Sequence, residues 1–179
     1  MNKLHKKGLI IVHTGTGKGK TTAAMGLGLR AAGHSLKVLM IQFIKGSWHY
    51  GELESVKKLH PCFEIIPMGK GFIRFDKKGP DPEDIKAVEE TWTFFIEKMR
   101  SGLYDMIILD EINYVISYGL LELNDVLTIL RDKPEGLHLV LTGRDAKPEI
   151  IEVADLVTEM KDLKHPFEEG VKAQKGIEF

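Results

Sequence analysis

The chain has 179 residues and a single cysteine, Cys62, so it cannot form a disulfide within itself. A fold without internal disulfides is typical of the reducing cytoplasm, and we expect a cytoplasmic protein. No apolar run approaches the roughly 20 residues that a membrane-spanning helix needs. The apolar run that follows Lys3, Lys6 and Lys7 is also too short for a signal peptide. We therefore expect no membrane partner.

The chain also has no large excess of charge of either sign, because its 25 Lys and Arg residues nearly balance its 26 Asp and Glu residues. The net charge of -1 argues against nucleic acid as the main partner. The seven histidines show no H-x-x-x-H spacing, and one cysteine cannot build a zinc site. No G-x-S-x-G turn is present, so a serine hydrolase of that type has no support.

The length and the pattern of the chain predict one α/β domain. A chain of this size can bury a proper core, and it contains no repeat, low-complexity tract or linker. We therefore expect residues 1–179 to form a single domain. Strands that alternate with helices predict a mainly parallel sheet covered on both faces, in which ligands bind at the carboxyl ends of the strands.

Glycine is concentrated where the first predicted strand ends. The apolar run Leu9–Val12 leads into the sequence TGTGKGKTT, which is followed by a segment with helical composition. A strand, a glycine-rich loop and a helix in this order are typical of a phosphate-binding P-loop. Lys20 is expected to reach the outer phosphates, and the Thr21 hydroxyl is expected to bind Mg²⁺. The predicted nucleotide-binding residues of the loop are Gly15, Thr16, Gly17, Lys18, Gly19, Lys20, Thr21 and Thr22.

The loop departs from the usual pattern G-x-x-x-x-G-K-[ST] in one respect. Thr14 occupies the first position, and Gly15 follows one residue later. A glycine-rich turn that binds nothing is the alternative interpretation. The strand before the loop, the helix after it and the Lys-Thr-Thr ending favour phosphate binding.

The remaining elements follow from periodicity and from turn residues. A Pro at the first helical position after Asp81 and an acidic first turn predict a helix whose apolar positions include Trp92 and Phe95. The tail from Lys164 onward has no clear periodicity. The other predicted strands are 37–43, 63–68, 104–109, 137–141 and 156–160, and the other predicted helices are 51–59, 123–131 and a short one near Glu149.

Acidic and basic side chains follow two of these strands. The run Ile107–Leu109 is followed by Asp110 and Glu111, an arrangement typical of the acids that hold Mg²⁺ opposite a P-loop hydroxyl. An acid that only caps a helix is the alternative. Arg144 follows the strand 137–141 and is predicted to contact polyphosphate; a surface arginine in a loop is the alternative.

Six segments together resemble the ATP:corrinoid adenosyltransferases. The match runs in the family's order through TGTGKGKTTAA, QFIKGSWHYGE, MGKGF, LDEINY, LTGRDA and HPFEEGVKAQKGIEF, which spans nearly the whole chain. The resemblance implies a RecA-like P-loop fold in a three-layer sandwich. It also implies transfer of the 5′-deoxyadenosyl group of ATP to the cobalt of a corrinoid, with Mg²⁺ (or Mn²⁺) as cofactor.

The resemblance further implies a homodimer, a reduced flavin or flavodoxin-type electron donor, and an aromatic residue against the lower face of the corrin. That aromatic is Phe72, whereas Arg74 stands where the family has a tryptophan. The predicted catalytic residues are thus Lys20, Glu111 and Phe72, and the predicted metal ligands are Thr21, Asp110 and Glu111. Two other functions stay open: a P-loop ATPase or kinase that releases phosphate, and a carrier that binds ATP and corrinoid without turnover.

Overall fold

The computed structural model describes residues 7–46, 50–71, 73, 75–76 and 79–178. The strands in this part of the chain are β1 Ile10–Thr14, β2 Val38–Gln42, β3 Phe63–Pro67, β4 Phe75–Asp76, β5 Gly79–Pro80, β6 Met106–Asp110, β7 His138–Thr142 and β8 Leu156–Glu159. The helices are α1 Lys20–Gly33, α2 Gly51–Lys57, α3 Pro82–Arg100, α4 Ile112–Ser117, α5 Leu123–Arg131 and α6 Pro148–Val153.

Six of the strands form one sheet in the order β3-β2-β6-β7-β1-β8, and every pair in it is parallel. The strands β1, β2 and β6 are buried along their whole length, which fits their β-branched and apolar runs. Because their carboxyl ends lie at one edge, this edge collects the residues that follow each strand.

Two apolar clusters cover the sheet. On one face, Ile11, Met40 and Ile108 pack with Ala24 of α1 and Val56 of α2. The alternate strand residues face the other side, where they pack with apolar residues of the helices α3, α4, α5 and α6. The predicted three-layer α/β architecture with a parallel sheet is therefore confirmed.

The longest helix, α3, begins as the sequence predicts. The Asp81 side chain accepts a hydrogen bond of 2.9 Å from the Glu83 N–H, and Pro82 occupies the first helical position. Trp92 and Phe95 lie in the core with their ring centroids 5.0 Å apart.

Four features differ from the sequence prediction. The helix α4 follows Glu111 directly, and β4 pairs antiparallel with β5 in a segment that the sequence predicts as loop. A 3₁₀ turn, Pro166–Glu169, lies in the tail. The edge strand β8 is exposed along its length, so the sheet is not covered on both faces there by the residues that the structure describes. Each of the new elements is short, and periodicity carries little signal over so few residues.

No helix in the described ranges is both long and apolar enough to cross a bilayer.

Two glycines of α1 offer a matched test of this packing. A Cβ at Gly28 would lie 2.6 Å from Cε1 of Phe63, whose ring is buried in the core, whereas a Cβ at the exposed Gly26 would meet nothing within 4 Å. We expect Gly26→Ala to raise the free energy of unfolding by about 0.5–1 kcal/mol through helix propensity. Gly28→Ala should lower it by about 1–3 kcal/mol through overpacking. Urea denaturation followed by circular dichroism measures both, and equal effects would contradict this packing.

Candidate functional site

The glycine-rich loop joins β1 to α1 and begins one residue later than the usual pattern. Thr14 is the last residue of β1, and its Oγ1 accepts a hydrogen bond of 3.1 Å from the Ala146 N–H. Gly15 and Gly19 adopt φ of 98° and 105°, which other residues rarely adopt. Threonine at the first position therefore ends a strand and ties the loop to the chain after β7.

The loop packs against the chain that follows β8. A Cβ at Gly15 would lie 2.3 Å from the Met160 carbonyl oxygen, and a Cβ at Gly17 would lie 2.7 Å from the Lys161 carbonyl carbon. The Gly17 N–H donates a hydrogen bond of 2.8 Å to the Met160 carbonyl. The additional glycine at position 17 is thus required by this close backbone approach.

The Lys20 side chain folds back over the loop. Its Nζ donates to the carbonyl oxygens of Gly15 at 2.8 Å and Gly17 at 2.6 Å. Lys20 is buried, and this burial lowers the pKa of its ammonium group, although the Glu111 charge opposes the shift. The ammonium therefore lies inside the loop, where an anion would gain most from it.

Asp110 is the centre of a hydrogen-bond network below the loop. It is fully buried, and its Oδ1 accepts from the hydroxyls of Thr21 at 2.9 Å and Thr142 at 2.8 Å. Its Oδ2 accepts from Nε2 of Gln42 at 3.2 Å. The network joins the start of α1 to the ends of β2, β6 and β7, and it brings together the predicted pair Thr21 and Asp110.

Glu111 is placed differently from Asp110. It adopts a left-handed backbone conformation with φ of 67°, and its N–H donates to the Thr142 hydroxyl at 2.9 Å. Burial raises the pKa of the Glu111 carboxyl, and the Asp110 charge raises it further, whereas Lys20, Lys45 and Arg144 oppose the shift.

Two further cations border this edge of the sheet. Lys45 forms an ion pair of 3.0 Å with Glu52 and lies 4.7 Å from the centroid of the Tyr50 ring. Burial lowers the pKa of Lys45, but the charges of Asp110 and Glu52 outweigh this effect and raise it. Arg144 is exposed after β7, and its charge acts on both Lys20 and Glu111.

The other predicted site residues are less closely engaged. Thr22 donates back to the Gly19 carbonyl at 3.0 Å, and Thr16 is exposed. Lys18 forms an ion pair with Glu178 of the C-terminal tail. Phe72 and Arg74 lie outside the described residues.

The predicted site residues do not include two members of the network, Gln42 and Thr142. A signal was nonetheless present, since each is a polar residue at the end of a strand that directly follows an apolar run. In a parallel sheet such residues meet at one edge.

The arrangement can bind an anion and a cation side by side. The loop and the Lys20 ammonium provide positive potential, while the Thr21 hydroxyl and the Asp110 carboxylate provide hard oxygen ligands. Among the described residues, no group of three or more His, Cys, Asp or Glu could hold a metal ion by itself. A cation bound here would therefore need phosphate oxygens and water molecules as additional ligands.

Comparison with known proteins agrees with this geometry. A family profile described as ATP:corrinoid adenosyltransferase BtuR/CobO/CobP matches residues 6–179. A corrinoid adenosyltransferase from Sinorhizobium sp is 42% identical over 99% of this chain and 83% of its own length. One from Escherichia coli K12 is 40% identical over 97% of this chain and 87% of its own. Corrinoid adenosyltransferase CobA from Salmonella typhimurium is 37% identical over 97% of this chain and 87% of its own length.

Solved structures resemble the chain in fold. The flagellar accessory protein FlaH from Methanocaldococcus jannaschii superposes with a TM-score of 0.58, at 14% identity, over 87% of this chain and 71% of its own. The KaiC-like protein PH0186 from Pyrococcus horikoshii gives a TM-score of 0.55, at 17% identity, over 86% of this chain and 72% of its own. At such low identity these likenesses establish the fold alone.

The partly buried carboxyl of Glu111, with its raised pKa, predicts a pH-dependent stability. Because folding raises its pKa, the neutral acid is favoured in the folded chain, and its contribution to stability is lost as the pH rises through the folded pKa. We expect Glu111→Gln to match the wild type below the ordinary glutamate pKa and to become progressively more stable than it as the pH rises. Urea denaturation of the nucleotide-free chain across pH measures the difference.

Glu97→Gln, at an exposed position of α3, serves as the matched control for the amide substitution. A stability difference for Glu111→Gln that stays constant from acid to neutral pH would contradict the raised pKa of the Glu111 carboxyl.

Proposed function

The chain belongs to the ATP:corrinoid adenosyltransferase family, and we propose that it transfers the 5′-deoxyadenosyl group of ATP to the cobalt(I) of a corrinoid. Cobalt(I) supplies the electron pair that forms the bond to C5′ of the ribose. The C5′–oxygen bond breaks, and its electron pair leaves with triphosphate. No proton needs to be removed from the nucleophile, so the protein's main task is to stabilise the leaving group.

One observation carries this proposal: in a chain that matches the family from residue 6 to residue 179, the loop threonine Thr21 is hydrogen-bonded to the strand-end acid Asp110. Lys20 now contacts two loop carbonyls, and an incoming triphosphate offers it stronger, charge-assisted partners. Negative charge accumulates on the oxygen that leaves C5′, and a cation beside the triphosphate lowers the energy of that state.

The residues also fit a magnesium ion, which we include in the proposal. Two ligands at adjacent positions of an octahedral Mg²⁺, with bonds of about 2.0–2.1 Å, lie about 2.9 Å apart. The Thr21 Oγ1 and Asp110 Oδ1 atoms are separated by 2.9 Å. The Gln42 Oε1 is buried and has no hydrogen-bond partner in the described part of the chain, so it is free to accept one. Bound Mg²⁺ would supply charge neutralisation at the triphosphate.

We propose that Phe72 packs against the lower face of the corrin and favours four-coordinate cobalt(II), which is easier to reduce. The loop that carries it starts beside the phosphate site. The N–H groups of Met68 and Gly69 both donate to the Gln42 carbonyl, at 3.0 and 3.2 Å, and the Gly71 N–H donates to the Ile44 carbonyl at 2.8 Å. These contacts anchor the base of the loop to the end of β2, next to Asp110.

We also propose that the chain acts in the cytoplasm as a homodimer of single-domain subunits, with a reduced flavin or flavodoxin-type electron donor. The family resemblance supports these features. A second support for the dimer is the edge strand β8, whose Leu156 and Val157 are exposed. Unpaired strand edges with apolar side chains are common sites of association.

The decisive experiment incubates the chain with ATP, Mg²⁺ and a chemically reduced corrinoid, then records the visible spectrum of the light-sensitive adenosylated product. Triphosphate should be released. Release of ADP and orthophosphate would indicate an ATPase, transfer of a phosphoryl group to an acceptor would indicate a kinase, and binding without a carbon–cobalt bond would indicate a carrier.

In the same assay, Lys20→Ala should cost about 2–4 kcal/mol of transition-state stabilisation, roughly a 30- to 1,000-fold drop in kcat/KM, because one well-placed charge is lost. Lys86→Ala is the matched control, since that lysine is exposed on α3 and forms an ion pair of 3.7 Å with Glu90. A Lys20→Ala rate within twofold of the wild type would refute the assignment.

Phe72→Ala should damage the reaction that starts from cobalt(II) far more than the reaction that starts from pre-reduced cobalt(I), because the aromatic ring excludes the axial ligand only in the first case. ATP binding should change little. Electron paramagnetic resonance of the cobalt(II) corrinoid with ATP reports the four-coordinate species directly. Equal losses from both oxidation states would leave Phe72 as a packing residue.

A further inference from the structure

Four neighbouring strands each place a polar residue at the same level on the α1 face of the sheet. Gln42 of β2 is in register with Asp110 of β6, and Thr142 of β7 is in register with His13 of β1. The Thr142 hydroxyl bonds to Asp110 and so joins the two pairs into one row. All four residues are buried. Buried polar groups in such a row normally have their hydrogen bonds satisfied.

Two members of the row have buried polar atoms without a partner in the described ranges: His13, at both ring nitrogens, and Gln42, at its amide oxygen. Of these two, Gln42 is the one that is hydrogen-bonded to Asp110. A carboxylate only accepts hydrogen bonds, so the amide nitrogen of Gln42 must face Asp110, at the observed 3.2 Å. This contact therefore assigns the positions of the amide nitrogen and the amide oxygen of Gln42. The oxygen, Oε1, is buried and has no partner in the described ranges. An apolar side chain of similar size would fill the position without this cost.

The surroundings indicate what could satisfy that oxygen. Thr21 and Thr142 both donate to Oδ1 of Asp110, so their hydroxyl hydrogens are already used. What the unused oxygen needs is a hydrogen-bond donor that arrives with a ligand. Mg²⁺ keeps several of its waters when it binds with phosphate, and these waters are strong donors. Polar groups around a metal's ligands often act in this way.

We propose that Gln42 is a positioning residue of the metal site: its amide nitrogen orients Asp110, and its amide oxygen accepts a hydrogen bond from a water that accompanies the cation. This inference rests on the proposed Mg-ATP site. It predicts that Gln42 acts on cation affinity rather than on nucleotide affinity.

The test uses Mn²⁺, which takes the same oxygen ligands and is visible by electron paramagnetic resonance. Mn²⁺ affinity is measured for the full chain in the presence of ATP, and ATP affinity is measured separately in EDTA by calorimetry. For Gln42→Met we expect a 10- to 100-fold loss of Mn²⁺ affinity, which is the usual effect of removing such a partner. ATP affinity in EDTA should stay within twofold of the wild type.

A second variant separates the two ends of the amide. Gln42→Glu keeps an oxygen at this position but loses the amide nitrogen, and two adjoining buried carboxyl groups share a proton until a cation displaces it. Its Mn²⁺ affinity should therefore rise with pH more steeply than that of the wild type, whereas Gln42→Met should show no such added rise. A residue that only fills space would not distinguish the two variants. The matched control is Thr91→Val, which removes from α3 a buried hydroxyl that donates to the Ala87 carbonyl at 2.7 Å.

Wild-type Mn²⁺ affinity in Gln42→Met, or an equal loss of ATP affinity in EDTA, would overturn the inference. A failure of the proposed function is seen separately, because the wild-type chain would then form no adenosylated corrinoid. If the wild type forms the product and both Gln42 variants bind Mn²⁺ as it does, the inference alone is wrong.

Discussion

The Asp110 carboxylate is fully buried, and a buried charge is tolerated only when hydrogen bonds replace its lost water. Its partners come from the start of α1, the end of β2 and the end of β7. Satisfying this one group therefore fixes the position of α1 relative to the strands, and α1 carries Lys20 at its first turn. The phosphate loop is in this way held from below by the residue that would also bind the cation. Binding of a cation there would be coupled to the position of the loop through this one side chain.

A second constraint acts on the loop from the opposite side. The backbone of Met160 and Lys161, more than a hundred residues further along the chain, lies too close to Gly15 and Gly17 to admit a side chain. The same approach engages the Gly17 N–H with the Met160 carbonyl. The loop is thus shaped in advance between the Asp110 network and the chain after β8. Preformed loops lose little conformational entropy when they bind an anion, which strengthens binding.

The parallel α/β fold, the P-loop and the pairing of Thr21 with Asp110 could be predicted from the sequence, because each depends on local composition or on a short motif. The sequence did not indicate α4, because this helix has only six residues and begins directly after a glutamate in the left-handed conformation. Nor did it assign roles to Gln42 or Thr142. Their importance arises from register between strands that lie far apart along the chain, which no local pattern encodes. The glycine at position 17 likewise became explicable only through its contact with Lys161.

The two halves of the proposed chemistry begin on adjacent strand ends. Gln42 ends β2 and contacts Asp110 through its side chain, while its carbonyl oxygen accepts from the first residues of the loop that leads to Phe72. The residues that stabilise the leaving group and the loop that contacts the corrinoid would then both be attached to one rigid strand, β2. Rigid elements hold reacting groups more accurately than free loops do. The displacement at C5′ requires the nucleophile and the leaving oxygen to lie on opposite sides of one carbon. A common anchor on β2 is a direct way for this fold to meet that requirement.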